Sequence, residues 1–326
     1  MLILTAEDIR SVMTMEDAIR SDKEAFIAQS EGNVELPVRI SFAVPGKGLS
    51  SFMPGFVGSL PLVGCKVVST FPGNRDKDLP VVPATMVLLD PETGMVNAIM
   101  DGTELTRMRT GAVSGVATEL LAREDARIGA LFGTGGQAFS QLEAMLTVRP
   151  IAEVRVYDVD PGRVAHFIRT AAPLTERFGA SLIAAASPDA AIDGADIITT
   201  VTTSAKPVFD GGRVQPGTHI NGIGSYEPHK RELDETIILR ANRLFVDNMD
   251  AVLSEAGDVL IPISEGKLNR SDIHGDLGDL LLGRVPGRTS RDQITVLKAV
   301  GFATLDIVIA GNIYRKAVAA GVGITI

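Results

Sequence analysis

Residues 127–138 read R-I-G-A-L-F-G-T-G-G-Q-A, an apolar run that stops at a cluster of glycines. Ile128–Phe132 has the length and composition of a buried parallel strand. Gly133, Gly135 and Ala138 follow at the spacing of a G-x-G-x-x-G/A dinucleotide loop. In such a loop the first small residue permits a tight turn, the second lets backbone approach a pyrophosphate, and the third lets the next helix sit close to the strand. That helix, about residues 137–148, would aim its free N–H groups and positive dipole end at the phosphates. A glycine triplet alone also occurs wherever a strand meets a helix tightly, so the next strand carries the decision. Residues 153–158 (E-V-R-V-Y-D) end on Asp158, near the interval at which an acid meets the adenosine ribose. The following helix already has Asp160 as its cap and Pro161 at its first position, so Asp158 is not needed there. A carboxylate at the ribose accepts from both hydroxyls and repels a 2′-phosphate. This predicts NAD(H) rather than NADP(H), with Arg163 the one nearby charge that could blur the preference.

From the glycine loop onward, strands alternate with helices: 128–132, 153–158, 181–186, 196–201, 218–223 and 243–247. The pattern predicts an α/β chain containing a Rossmann, doubly wound parallel sheet. A helical stretch at 249–257 and irregular segments come next, and 288–292 (R-T-S-R-D) reads as the cap of a long apolar helix running to about residue 319. Before the loop the character differs. Thr5 and Thr14 cap two helices within 5–31, ended by Gly32. Strands are expected at 39–44, 50–53, 63–70, 84–90 and 96–100, the last two joined by the turn 91–94, which makes an antiparallel sheet outside the Rossmann unit. A helix opening at Asp101-Gly102-Thr103 carries Gly111, Ala112, Ser114, Gly115 and Ala117, so something packs very close to it as it leads into the nucleotide domain. The expected division is an N-terminal α+β domain over 1–122 and the Rossmann domain over 123–302.

A chain of 326 residues suits two domains, and 45% hydrophobic with 22% charged residues is an ordinary globular balance. The net charge of -9 is spread along the chain without a basic patch, which argues against nucleic acid and against an anionic membrane as partners. The start, M-L-I-L-T-A-E-D-I-R, carries acids where an export signal would carry Lys or Arg, and no long uninterrupted apolar run is present. The single cysteine, Cys65, fits a reducing cytoplasm. His166, His219, His229 and His274 have no metal-ligand spacing, so no metal is expected.

Candidate chemistry falls in both halves. The strand ends Thr199-Thr200-Val201-Thr202-Thr203 and His219 to Gly224 finish at the carboxyl edge, where hydroxyls and glycines suit a nicotinamide and its ribose. Any one of these threonines is equally compatible with plain loop chemistry. In the first half Lys66 sits mid-strand in V-G-C-K-V-V, where a lysine costs free energy unless it is paired or reaches a water-filled cleft. Taken alone, an edge-strand or snorkelling lysine is the simpler reading. Arg39 in L-P-V-R-I-S and Arg109 near a helix start pose the same question. Three cations on structured elements point to an anionic substrate.

Over nearly its whole length the chain resembles the ornithine cyclodeaminase and mu-crystallin family. The resemblance rests on F-M-P at 52–54, G-C-K-V-V-S-T-F-P-G-N at 64–74, D-P-E-T-G at 90–94, M-D-G-T-E-L-T-R-M-R-T-G-A-V-S at 100–114, G-T-G-G-Q at 133–137 and I-N-G-I-G-S-Y-E-P-H-K-R-E-L at 220–233. It implies a homodimer joined through the N-terminal sheets, and a C-terminal helix, about 303–326, returning to the first domain. It also implies that Arg39, Lys66 and Arg109 hold an α-amino-acid carboxylate and polarise the reacting carbon, with Ser51 and Met53 in the substrate-binding set. Arg109, Thr110, Gly136, Gln137, Asp158, Thr202, Ile223 and Lys230 should line the cofactor, with Gly133, Gly135, Thr200 and Val201.

Two departures limit what the resemblance implies. The cyclodeaminases place a Glu two residues before the Met-Pro pair to receive the distal amine of ornithine, and here that position is Ser51. They place an acid/base Asp two residues before the proline matching G-S-Y-E-P, and here it is Tyr226. What the relatives share is hydride transfer between nicotinamide and a C–N carbon. The expectation is therefore NADH-dependent reduction of a small α-imino acid to an L-amino acid, with Lys66 or Tyr226 serving the nitrogen. Iminosuccinate, giving aspartate, is slightly favoured over 1-pyrroline-2-carboxylate, giving proline. Alanine dehydrogenase, a cyclodeaminase lyase and a non-catalytic NAD(H)-binding crystallin-like protein are the alternatives.

Overall fold

A computed structural model describes residues 1–37, 39–77 and 79–326. The chain forms two compact units, Met1–Arg109 with Phe302–Ile326, and Thr110–Gly301. The change of unit falls between Arg109 and Thr110, inside the helix Gly102–Leu121, rather than at the expected 122/123.

The first unit begins with the helices Ala6–Val12 and Met15–Ser30. Each opens on a reciprocal capping box, Thr5 with Asp8 and Thr14 with Asp17, which satisfies amide donors at the helix start. Its sheet runs in the order Ile324–Thr325, Leu2–Leu4, Val96–Asp101, Ala84–Leu89, Leu62–Thr70, Gly48–Val57 and Val34–Glu35, with Ile40–Val44 also paired to Gly48–Val57. The sheet is mixed rather than wholly antiparallel, because Leu2–Leu4 pairs parallel with Val96–Asp101. Three residues are too few to show a strand period, which is why the sequence hides this strand.

The C-terminal helix Ala303–Ala320 lies on this sheet at close range. A Cβ on Gly55 would come within 2.8 Å of Ile307 Cδ1, and one on Gly311 within 2.7 Å of Leu62 Cδ2. Glycine at both positions lets helix and strands approach.

In the second unit eight parallel strands run in the order Ser181–Ala184, Glu153–Tyr157, Ile128–Phe132, Ile197–Thr200, His219–Gly222, Thr295–Lys298, Arg243–Val246 and Gly275–Asp276. The direction of winding reverses between Ile128–Phe132 and Ile197–Thr200, the position where open α/β sheets bind ligands. Phe132, Ile198, Ile220, Leu244 and Val296 contribute to the core of this unit.

Residues 288–299 do not begin the long helix expected there. They form loop and then the strand Thr295–Lys298, inserted between His219–Gly222 and Arg243–Val246, and the helix starts at Ala303 after Gly301. All four strand residues are buried. A strand covered on both faces reads as a short apolar run with no alternation, which periodicity cannot separate from a helix.

Candidate active site

Strand register decides the surroundings of Lys66. It lies opposite Met53 on one neighbour and Met86 on the other, and Met86 lies opposite Met100. Paired residues share a face, so the ammonium stem runs through a methionine row whose members are 9%, 0% and 2% exposed, with Lys66 itself at 3%. A charge there needs a partner.

The closely packed C-terminal helix delivers one. Asp306 Oδ2 accepts from Lys66 Nζ at 2.5 Å, and Asp306 Oδ1 accepts from Arg109 Nε at 3.1 Å. One carboxylate thus bridges two buried cations. The Lys66 ammonium is lowered to about 8: burial is the largest cause, Asp306 opposes it, and Arg109 and then Arg39 add to it. The half-buried Arg39 is therefore within electrostatic reach of the same group.

Asp22, from the helix Met15–Ser30, is wholly buried, and neither carboxyl oxygen has a hydrogen-bond partner among the described residues. Burial drives its pKa well above the carboxylate range, Arg109 opposes this, and Asp306 adds to it. Asp22 therefore faces the same cluster with a raised pKa, while Lys66 and Arg109 share the single Asp306 carboxylate.

Ser51 is buried, and its hydroxyl is paired with that of Ser41 at 2.7 Å. Arg39, Ser51, Met53, Lys66 and Arg109 all belong to the first unit. Tyr226 is 43% exposed and belongs to the second unit.

Asp306 and Asp22 are the residues that sequence reasoning missed. The signal for Asp306 was present: residues 303–310, A-T-L-D-I-V-I-A, hold one acid in an otherwise apolar helical run, which demands a buried cation elsewhere.

The glycine loop of the second unit fits a dinucleotide. Gly133 has φ +95°, and a Cβ on it would meet Val201 O at 2.8 Å. Gly135 and Gly136 are exposed, and an added Cβ on Gly135 would meet only Arg163 Nη2, at 3.9 Å, so backbone is free to approach a phosphate. The helix Ala138–Val148 has Gln137 at its cap without a side-chain cap bond, which leaves first-turn N–H groups unclaimed by the chain's own cap.

Asp158 follows the strand Glu153–Tyr157. Its Oδ2 accepts from Thr134 N at 3.0 Å and Thr134 Oγ1 at 2.8 Å, and its Oδ1 accepts from Asp160 N at 3.1 Å. Burial pushes this carboxyl up, but the bonds from Asp160 and Thr134 outweigh it and hold the pKa low, so the group is ionised. Asp160 performs the helix capping, accepting from Gly162 N at 2.8 Å.

Of the other expected lining residues, Arg109 lies in the first unit and the rest lie in the second. Thr110 O accepts from Gln141 at 2.9 Å, and the buried hydroxyls of Thr110 and Thr200 have no partner among the described residues. Such orphaned groups suit a polar ligand. Val201 and Ile223 are buried, Thr202 is half-buried, and Lys230 pairs with Glu227 at 2.5 Å. Among the described residues no group of His, Cys, Asp and Glu could hold a metal, and no helix is long and apolar enough to cross a membrane.

A doubly wound sheet with a dinucleotide-type loop, joined to a unit that buries a Lys–Asp–Arg triad, defines a two-unit Rossmann-type protein with an anion-seeking site. The chain belongs to the ornithine cyclodeaminase/mu-crystallin family, whose sequence pattern matches residues 1–321. It is 37% identical over 324 residues to a Delta(1)-pyrroline-2-carboxylate reductase of Bacillus cereus, covering 99% of this chain and 98% of the relative. The structure of Thermococcus litoralis Delta(1)-pyrroline-2-carboxylate reductase in complex with NADH and L-proline is similar with a TM-score of 0.95 at 37% identity, covering 100% of both chains. An archaeal alanine dehydrogenase dimer with bound NAD is similar with a TM-score of 0.91 at 35% identity, covering 100% of this chain and 98% of that one.

Proposed function

We propose that the protein is an NADH-dependent imine reductase that converts a small α-imino acid to an L-amino acid, with 1-pyrroline-2-carboxylate, giving proline, as its preferred substrate. The observation that carries this reading is the Asp306 bridge: two buried cations share one carboxylate and leave a positive surplus for a second anion.

Arg109 and Arg39 hold the substrate carboxylate. Lys66, with its pKa near 8, keeps a proton at neutral pH and delivers it to the imine nitrogen, and Asp306 aims both Lys66 and Arg109. The residues at the glycine loop, Asp158 and Thr202 hold the dinucleotide. NADH, when bound, supplies the hydride for the imine carbon.

The choice of a ring over a second carboxylate reverses the slight preference read from Ser51. That hydroxyl is already paired with Ser41, and the face beyond Lys66 is a methionine row, so a distal apolar ring suits it better than a charge. The naming of relatives for the same reaction supports this choice.

A homodimer fits the edge strand Ile40–Val44, where Ile40 is 66% and Phe42 53% exposed, and fits the dimeric relative.

The test is NADH oxidation with four inputs: 1-pyrroline-2-carboxylate, iminosuccinate generated in situ, pyruvate with ammonia, and ornithine with catalytic NAD. The cyclic imine should give the highest kcat/KM. Conversion of ornithine to proline without net NADH consumption would instead identify a cyclodeaminase, and the best rate with pyruvate and ammonia an alanine dehydrogenase.

A further inference from the structure

A second buried ionic group lies wholly within the second unit. Glu232 is fully buried. Its Oε1 accepts from Thr202 N at 2.5 Å, and its Oε2 accepts from Gly224 N at 2.5 Å and Ser225 N at 3.2 Å. Thr202 follows the strand Ile197–Thr200, and Gly224 follows the adjacent parallel strand His219–Gly222. One carboxylate therefore ties together two loops that leave neighbouring strands at the carboxyl edge.

The approach of these loops is closer than any side chain would permit. A Cβ on Gly224 would lie 2.2 Å from Thr202 O. Behind Glu232, Asp258 Oδ1 accepts from Glu232 N at 2.7 Å and Leu233 N at 2.8 Å, and Asp258 Oδ2 forms a 2.9 Å ion pair with Lys298 Nζ whose angles fall outside hydrogen-bond geometry. Lys298 closes the strand Thr295–Lys298, which neighbours His219–Gly222 on its other side. A buried ionic group of this kind is seldom needed for stability alone, since apolar residues of like volume serve as well. Its contacts point elsewhere: they end on backbone beside Thr202 and Ile223, and on the turn that carries Tyr226.

We propose that Glu232, backed by Asp258 and Lys298, is a positioning residue that sets the loops at Thr202 and 223–226 in their dinucleotide-binding form before the dinucleotide arrives. It acts through three backbone amides and does not itself touch the ligand. The inference rests on the NAD(H)-binding part of the proposed function, and on nothing about the imine.

The test uses the full-length protein and Glu232→Gln, with two readouts taken without substrate: NADH affinity by fluorescence titration, and amide hydrogen exchange. Glutamine is isosteric but turns an N–H group toward at least one of the three donors. NADH Kd should rise about tenfold or more, and exchange should accelerate at 202–204 and 223–226 while the glycine loop at 133–137 keeps its wild-type rates. NADH affinity within twofold of wild type, with unchanged exchange, would overturn the proposal.

The wild type supplies a second measurement that needs no variant. The amides of Thr202, Gly224 and Ser225 should already be protected in the NADH-free protein; protection that develops only when NADH is added would overturn preorganisation. A wild type that binds NADH and reduces no imine would contradict the proposed function and leave this inference standing.

Discussion

Each unit buries a lysine against an aspartate, and the two pairs differ in what surrounds them. Lys66 and Asp306 share their carboxylate with Arg109, stand within electrostatic reach of Arg39, and have beside them Asp22, whose pKa burial raises. Lys298 and Asp258 stand beside Glu232, whose oxygens are filled by backbone N–H groups of the chain itself. In the first cluster two cations share one carboxylate, and in the second one cation stands with two carboxyl groups, of which Glu232 has both oxygens filled by the chain's own amides. A buried ion pair on its own says little about function. The sign of the surplus, and whether the chain itself satisfies it, separates a site that seeks a ligand from one that holds loops in place.

Removing the cations should break this contrast most sharply. Lys66→Ala is expected to lower kcat/KM by about a thousandfold or more, the scale of losing one charged donor at a reacting centre, while NADH affinity stays within a few-fold of wild type. Lys298→Met should do the opposite, weakening NADH binding while the residual kcat at saturating NADH stays well above that of Lys66→Ala. Steady-state kinetics with an NADH titration on both variants checks the pair. Near-normal turnover in Lys66→Ala would make the first cluster structural as well.

A smaller effect is expected at the ribose carboxylate. Asp158→Ser should shift the NADH-over-NADPH preference by about 1.5–3 kcal/mol, the usual range for a hydrogen bond to a charged group, read as the ratio of kcat/KM for the two cofactors. A wild type that prefers NADPH would show that the bonds from Thr134 leave Asp158 no ribose role.

Packing in the second unit gives a stability test of similar or lesser size. Gly111→Ala would set a Cβ 2.5 Å from Ser140 O, and overpacking of this kind costs about 1–3 kcal/mol. Thermal unfolding should show the loss, and an unchanged Tm would mean that the two helices separate easily.

The smallest shift is also the most informative about Asp306. If Lys66 donates the proton, kcat/KM should fall as pH rises through about 8, because the donor form is lost there. Asp306 is the group that raises the Lys66 pKa against burial, so Asp306→Asn should move this alkaline limb to lower pH. A limb that stays in place, or moves up, would remove Lys66 from the proton-transfer step.

Local chemistry made much of this legible in the sequence. The capping residues Thr5, Thr14 and Asp160 act on amides two or three positions away, and the glycine loop and Asp158 are set by consecutive elements. The strand Thr295–Lys298 escaped because burial on both faces erased its alternation. Asp306 escaped for another reason: its partner Lys66 lies 240 positions earlier. A sequence shows that an isolated acid in an apolar helix requires a cation, and only the fold shows which one. Glu232 lay within a recognised motif, yet its role depends on two strand ends meeting, which no spacing encodes.

The claim at the centre of this account is that the surplus charge around Lys66 exists to hold a substrate carboxylate. The direct measurement compares kcat/KM for NADH-dependent reduction of 1-pyrroline-2-carboxylate with that for 1-pyrroline, the same ring without the carboxylate. The account predicts a preference of about a thousandfold or more for the carboxylate. Equal rates, or rates within about tenfold, would contradict it.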